Sequence, residues 1–373
     1  MRMTDLDPNL PALQDIATPA LVVDAMALQR NIAAMAEFAR THHIALRPHA
    51  KTHKSPRIAQ LQIEAGAIGI SCATVAEMEA MAEAGIPGLL LTTPVADRVK
   101  LARIAALADT TDIALVVDHA DQIHVLHTLL DTGSRPLQVL IDIDVGQRRT
   151  GVVEPAATLA LAQLIEATPG MTFGGIQGFA GHVQHMIDYE ERKAGAAQVR
   201  SILDDHLRVL GEAGIEAPIV TGSGTGACAF DIVGTFTELQ VGSYLFMDAD
   251  YGRLQSEGGG ALPFEPSLFV LATVTSVNRA GEFTVDAGVK AMAFNGPVPS
   301  LMIGVPDGAT YRFGGDEHGM ITLPDGAEPP KLGSRVLLIA THCDPTVNLH
   351  ASYQVVGHNN GVEVWPVTAR YGA

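Results

Sequence analysis

The chain has 373 residues, 47% hydrophobic and 17% charged, enough apolar material for two domains or one large barrel with an appendage and too much for a disordered chain. Its formal net charge of −17 argues against nucleic acid or an acidic membrane surface as a partner. Cys72, Cys228 and Cys343 lack paired spacing, Met1-Arg2-Met3-Thr4 opens no apolar signal core, and no apolar stretch reaches bilayer-spanning length, so a soluble cytoplasmic protein is expected.

Residues 25–40 carry Leu28, Ile32, Met35 and Phe38 at helical spacing, ahead of a short apolar run at 44–47. Apolar runs of strand length recur at about 67–71, 88–92, 113–118, 137–143, 173–179, 217–221 and 239–246. Between them, 75–84, 95–108, 120–131, 155–167 and 189–213 have helical periodicity. From residue 44 this gives eight strand candidates alternating with helices, the α/β pattern of a (β/α)8 TIM-type barrel. An open doubly wound sheet is the alternative. After about residue 260 the runs at 268–274, 283–285, 336–339 and 362–365 are separated by Gly, Pro, Asn and Asp turns, and no helical period survives. We therefore expect a barrel over 20–258 and an all-β C-terminal domain from 259–373 joined by 1–19.

A barrel makes a claim about chemistry: polar groups should gather at the carboxyl ends of its strands. His49 and Lys51 follow the first predicted strand, 144–149 the fifth, and His182 and His185 the sixth. Thr221-Gly222-Ser223-Gly224-Thr225-Gly226 follows the seventh, and Gly242-Ser243-Tyr244 lies on or after the eighth. Among these, Arg47-Pro48-His49-Ala50-Lys51-Thr52-His53-Lys54 is the most informative segment. A lysine at the end of a buried strand, poorly solvated and beside other cations, favours the free amine that attacks a carbonyl. Arg47, His49, His53 and Lys54 would provide those cations and could serve an anionic cofactor such as a phosphate ester. A basic surface loop is the plainer reading of the same residues.

The segment resembles the cofactor-lysine motif of the D-threonine aldolase and D-serine dehydratase family, pyridoxal-phosphate enzymes of fold type III with an alanine-racemase-type barrel. The resemblance covers essentially the whole chain and implies the same two-domain plan. It makes Lys51 the Schiff-base lysine, with Lys54 the internal alternative, and places His49 beside the cofactor. Ser223, Gly224, Thr225 and Gly226 offer backbone N–H groups and hydroxyls for a phosphate. They match the family pattern, as do Gly242, Ser243 and Tyr244, and both segments are assigned to the cofactor phosphate. Arg149 aligns with a family arginine near the cofactor, whereas Arg148 stands where many relatives carry glycine. Phe179 stands where many have tyrosine, so any hydrogen bond from that phenol to the cofactor region is missing, which leaves stacking or pocket shape as what the ring could still offer. His185 matches the histidine proposed to deprotonate the substrate hydroxyl; its plainer reading is a buried structural histidine.

His342-Cys343-Asp344 would place an imidazole and a carboxylate on the same side of an extended backbone, able to grip one divalent ion, with Cys343 pointing away. Such a triplet is usually incidental; the resemblance makes His342 and Asp344 the ligands of a catalytic cation, Mn, Mg, Co or Zn. Dehydratase relatives tend to carry cysteine where Asp344 stands, and aldolase relatives aspartate. Asp316-Glu317-His318-Gly319 is family-like too, but reads equally well as an exposed turn.

The resemblance thus implies a carbon–carbon lyase that uses pyridoxal 5'-phosphate and a divalent cation to cleave D-β-hydroxy-α-amino acids of the D-threonine or 3-hydroxy-D-aspartate type. The products are glycine and an aldehyde. A dehydratase acting on D-serine or D-threo-3-hydroxyaspartate is the alternative, and a non-catalytic pyridoxal-phosphate-binding protein the second. The expected partner is the small amino acid, and a homodimer is compatible with the sequence.

Overall fold

A computed structural model of the protein describes residues 6–130, 135–300 and 302–370. By contacts the chain divides into two units, one of Ala36–Lys51 and Pro56–Gly242, the other of residues 6–35, Thr52–Ser55 and Ser243–Arg370. The divisions at 35/36 and 242/243 differ from the expected 19/20 and 258/259. Two pairings account for this. Strand β1 (Ala20–Asp24) lies antiparallel to residues 268–271 and parallel to residues 353–356. Phe246 O accepts from Ser267 N at 2.8 Å, and Ala249 N donates to Ala340 O at 2.9 Å.

The first unit is a parallel barrel. Its strands are β2 (Ala45–Leu46), β3 (Ile70–Cys72), β4 (Leu89–Leu91), β5 (Ile113–Val117), β6 (Leu137–Asp142), β7 (Met171–Gly178), β8 (Ile219–Gly222) and β9 (Glu238–Leu239). They run in the order β2-β9-β8-β7-β6-β5-β4-β3. A parallel bridge between His49 and Ser71 joins the two ends, with Ser71 N donating to Pro48 O at 2.8 Å. Every residue of β3, β4 and β5 is buried, as expected of strands covered on both faces, and Leu90, Ala114, Val116 and Leu140 pack into one cluster. Helices start at side-chain caps: Thr74 Oγ1 accepts from Glu77 N while Glu77 Oε2 accepts from Ala73 N, and Asp97 and Asp188 cap Arg98–Ala108 and Tyr189–Glu212.

The expected eighth strand, 239–246, is shorter than its apolar run. After Leu239 the chain gives Gln240 N to Gly222 O and Val241 O to His49 N, then turns at Ser243–Leu245. A buried turn and a buried strand share one apolar pattern, so periodicity cannot separate them.

The second unit is a nine-stranded sheet. It adds β10 (Leu268–Arg279), β11 (Glu282–Val285), β12 (Met302–Ile303), β13 (Thr310–Phe313), β14 (Gly319–Thr322), β15 (Arg335–Ile339), β16 (Ser352–Val356) and β17 (Val362–Pro366) to β1. Its core gathers Leu6, Leu13, Val22, Phe269, Leu271, Leu337 and Ile339. One correction falls here: residues Cys343–Asn348 form a short helix. His342 is extended, but the chain after it is helical, so the alternation expected for His342-Cys343-Asp344 does not apply.

Candidate active site

Lys51 sits in the turn Ala50–Thr52 that follows β2 and is half-buried. It opens onto a cavity of about 350 Å³, within the usual range for a small-molecule site. His49, Arg149, Phe179, Gln177 and Gln240 share the lining. Lys51 Nζ lies 5.4 Å from the centroid of the Phe179 ring, and the Arg149 guanidinium carbon lies 5.8 Å from the same centroid. One aromatic ring thus has near it two cations that the sequence separates by almost a hundred residues.

His49 is buried and its ring is tied at both nitrogens. Nδ1 accepts from Lys51 N at 3.3 Å, so the proton resides on Nε2, which reaches Thr92 Oγ1 at 3.1 Å. Thr92 in turn donates to Cys72 O, leaving its oxygen to accept from the imidazole.

The other cations of the motif serve elsewhere, which corrects the expected crowd around Lys51. Arg47 forms a bidentate pair with Glu238, Nε to Oε1 and Nη2 to Oε2 both at 2.9 Å, and also donates to Gly88 O. This stitches β2 to β9 and neutralises Arg47. His53 and Lys54 fall in the sheet unit, where His53 O accepts from Tyr353 Oη at 2.6 Å and Lys54 O accepts from Thr368 N at 2.8 Å. Lys54 does not line the cavity.

A polar network in the wall of the same cavity carries no sequence motif. Gln177 Nε2 donates to Asp142 Oδ1 at 2.8 Å and Thr92 O at 2.9 Å, and Gln240 Nε2 donates to Gln177 Oε1 and Thr221 Oγ1 at 3.0 Å each. Thr150 Oγ1 donates to Asp142 Oδ2 at 2.8 Å. Burial pushes the Asp142 carboxyl up to about 6, against the bonds from Gln177 and Thr150 that favour its charged form. The only sequence signal was a carboxylate at the end of an apolar run.

Ser223–Gly226 forms the turn after β8 and does not line the same cavity. Ser223 adopts φ 63°, and its buried Oγ makes no hydrogen bond of normal geometry, although it lies close enough to Asp231 to favour that carboxylate's charged form. A Cβ at Gly226 would come within 2.5 Å of Gln184 O, so only glycine fits. Gln184 Oε1 takes the N–H groups of Gly226 and Ala227 at 2.9 and 3.2 Å, which fixes the turn. Gln184 thus engages the Gly226 N–H that the sequence reading offered to a phosphate, whereas the lysine, arginine and aromatic ring that share the cavity suit a pyridoxal ring. Gly242 is grouped with the barrel, whereas Ser243 and Tyr244 fall in the sheet unit. There Ser243 lies beside Tyr251 and Cys343, and the Tyr244 ring packs 5.6 Å from Phe264. His185 is exposed at the end of the short helix Gly181–Gln184 and does not line the cavity.

In the sheet unit, Asp248, His342 and Cys343 bring ligand atoms within 4.8 Å of one another. His342 Nδ1 lies 2.9 Å from Asp248 Oδ2, and the ring stacks on Tyr251 at 6.3 Å and 20°. Burial drives the Cys343 thiol well above its ordinary range, which disfavours the thiolate. Cys343 Sγ donates to Asp344 Oδ1 at 3.5 Å, bringing the half-buried Asp344 to the edge of the cluster. Imidazole and carboxylate donors suit a divalent cation of the manganese, magnesium, cobalt or zinc type. Asp316 and Glu317 instead pair with exposed Lys290.

Residues 23–250 match the family described as alanine racemase, N-terminal domain, and residues 267–356 the putative serine dehydratase domain. The chain is 40% identical to a D-threonine aldolase of Arthrobacter sp. over 96% of its own length and 94% of the relative's. It is 36% identical to a 3-hydroxy-D-aspartate aldolase of Paracoccus denitrificans (strain Pd 1222), over 97% and 95%. The crystal structure of D-threonine aldolase from Filomicrobium marinum superposes with a TM-score of 0.91 at 39% identity, over 96% of this chain and 97% of that one. The fold is thus that of the alanine-racemase-type barrels with a C-terminal, mostly-β domain. Within that class, the chain belongs to the D-threonine aldolase and D-serine dehydratase-like family, for which pyridoxal phosphate is a fitting cofactor. Among the described residues, no helix is long and apolar enough to cross a membrane.

Proposed function

We propose that the protein is a pyridoxal-phosphate- and divalent-cation-dependent aldolase that cleaves D-β-hydroxy-α-amino acids to glycine and an aldehyde. The observation that carries this reading is Lys51, set in a cavity with Phe179 and Arg149, in a chain that matches aldolases from end to end. Lys51 Nζ is the group that would hold the cofactor covalently. When bound, pyridoxal phosphate supplies the electron sink for the pair released as Cα–Cβ breaks.

Phe179 offers its face to the cofactor ring, and Arg149 adds positive charge beside it. His49, locked as the Nε2–H tautomer, keeps the wall next to Lys51 neutral and rigid. By the family pattern, Ser223, Gly224, Thr225 and Gly226 with Gly242, Ser243 and Tyr244 are the residues that would take the phosphate. His342 and Asp344 would hold a divalent cation, which would supply Lewis-acid chemistry toward a hydroxyl. His185 accepts the hydroxyl proton at a ring nitrogen as general base. That proton loss lets the hydroxyl carbon become the aldehyde as the bond to Cα breaks.

Incubation with D-threonine tests the reaction. Glycine with acetaldehyde supports the aldolase, ammonia with 2-oxobutanoate supports a dehydratase, and unchanged D-threonine with retained cofactor supports a binding protein.

A further inference from the structure

We infer that Asp248 is a positioning residue of the cation site and not one of its ligands: it holds the His342 ring with Nδ1 protonated, so that Nε2 presents the lone pair. The inference rests on the reading of His342 and Asp344 as cation ligands and assigns a role to a residue 94 positions away in the chain.

Asp248 is fully buried, with a relative exposure of 0%. Its Oδ1 accepts from Asp250 N at 3.1 Å and Tyr251 N at 2.8 Å. Its Oδ2 accepts from Cys343 N at 2.8 Å and meets His342 Nδ1 at 2.9 Å. A carboxylate has about four lone-pair sites, and these partners occupy them. Three of the donors are backbone N–H groups, which can only donate. For Asp248 to bind a cation, one of these buried bonds would have to be given up with no water to replace it. Closeness of ligand atoms therefore overstates Asp248 as a ligand.

The same count fixes the imidazole. As a carboxylate Asp248 can only accept, so its 2.9 Å contact with His342 puts the proton on Nδ1. The lone pair is then on Nε2. Tyr251, stacked nearly parallel to the ring, limits its rotation. Because Asp248 also holds Cys343 N, it fixes the stretch of backbone that carries both His342 and Asp344. A carboxylate on the far nitrogen of a ligating histidine orients the ring and raises its basicity, and loss of such a partner costs about 10- to 100-fold in metal affinity.

The decisive variant is Asp248→Asn, prepared with His342→Ala and the unaltered chain as full-length proteins loaded with pyridoxal phosphate. The side-chain amide would turn its NH2 toward His342 and favour the opposite tautomer. Mn²⁺ titration followed by electron paramagnetic resonance gives the dissociation constant. Side-chain ¹⁵N shifts of the metal-free unaltered protein report the His342 tautomer directly. We expect Asp248→Asn to weaken Mn²⁺ about 10- to 100-fold while the visible absorbance of bound cofactor stays, and metal-free His342 to carry its proton on Nδ1. Unchanged Mn²⁺ affinity in Asp248→Asn alongside loss in His342→Ala would overturn the role of Asp248 and leave the cation site standing. Unchanged affinity in His342→Ala would instead remove the cation site, and this inference with it. If Asp248→Asn does not fold, the unaltered protein still decides: a proton on Nε2 of metal-free His342 contradicts the assignment.

Discussion

Gln177 Nε2 donates to Asp142 Oδ1 at 2.8 Å inside the barrel, so a carboxyl held up to about 6 by burial is hydrogen-bonded directly to the cavity lining, through Gln177 and Thr150. A carboxyl raised in the folded state binds its proton more tightly there than in the unfolded chain. Its contribution to stability is full below the unfolded value near 4 and is lost as pH rises through about 6. The effect is on the order of 2–3 kcal/mol. Thermal melts of Asp142→Asn should therefore gain on the unaltered protein between pH 4 and 7. A difference in melting temperature that stays constant over that range would refute the buried-carboxyl account.

Lys51 and Lys54 compete for the cofactor in the sequence, but only Lys51 lines the cavity. Borohydride reduction of the cofactor-loaded protein, followed by peptide mapping, should find the pyridoxyl group on Lys51. Recovery of the label on Lys54 would overturn the assignment. Lys51→Ala should lose the visible absorbance of covalently held cofactor together with all activity.

Arg47 and Glu238 form a bidentate pair in which Glu238 is 3% and Arg47 11% exposed. Removing the carboxylate leaves a nearly buried guanidinium without its partner, a change that costs about 3–5 kcal/mol. Denaturant unfolding of Glu238→Ala should show a loss of this size. A loss below about 1 kcal/mol would place the pair among surface bridges of small worth.

His185 is exposed and outside the lysine cavity, so the base role proposed for it is tested separately from cofactor binding. His185→Asn should lower carbon–carbon cleavage by roughly 10²- to 10⁴-fold while leaving the cofactor absorbance unchanged. Exchange of the glycine α-proton with solvent provides the control, because that step involves no β-hydroxyl. Normal cleavage in this variant would exclude His185 as the base, whereas joint loss of exchange and cleavage would point to damaged cofactor binding.

The barrel was legible because parallel strands buried on both faces leave short apolar runs, such as Leu89-Leu90-Leu91, between amphipathic helices. Ala20–Asp24 reads as the same kind of run, yet its sheet is decided by pairing with residues some 250 and 330 positions away, which local pattern does not encode. The helix Cys343–Asn348 is too short for a helical period to declare itself. Lys51, Phe179 and Arg149 could be picked out by motif. Asp142, Gln177, Gln240 and Asp248 could not, because each is a lone polar residue whose partners arrive from other parts of the chain.

The most direct test of the account is the product balance from D-threonine with the protein loaded with pyridoxal phosphate and Mn²⁺. The account predicts glycine and acetaldehyde in equal amounts, with no ammonia, and loss of both when the cation is chelated. Ammonia and 2-oxobutanoate as the products, or full turnover after verified removal of the cation, would contradict it.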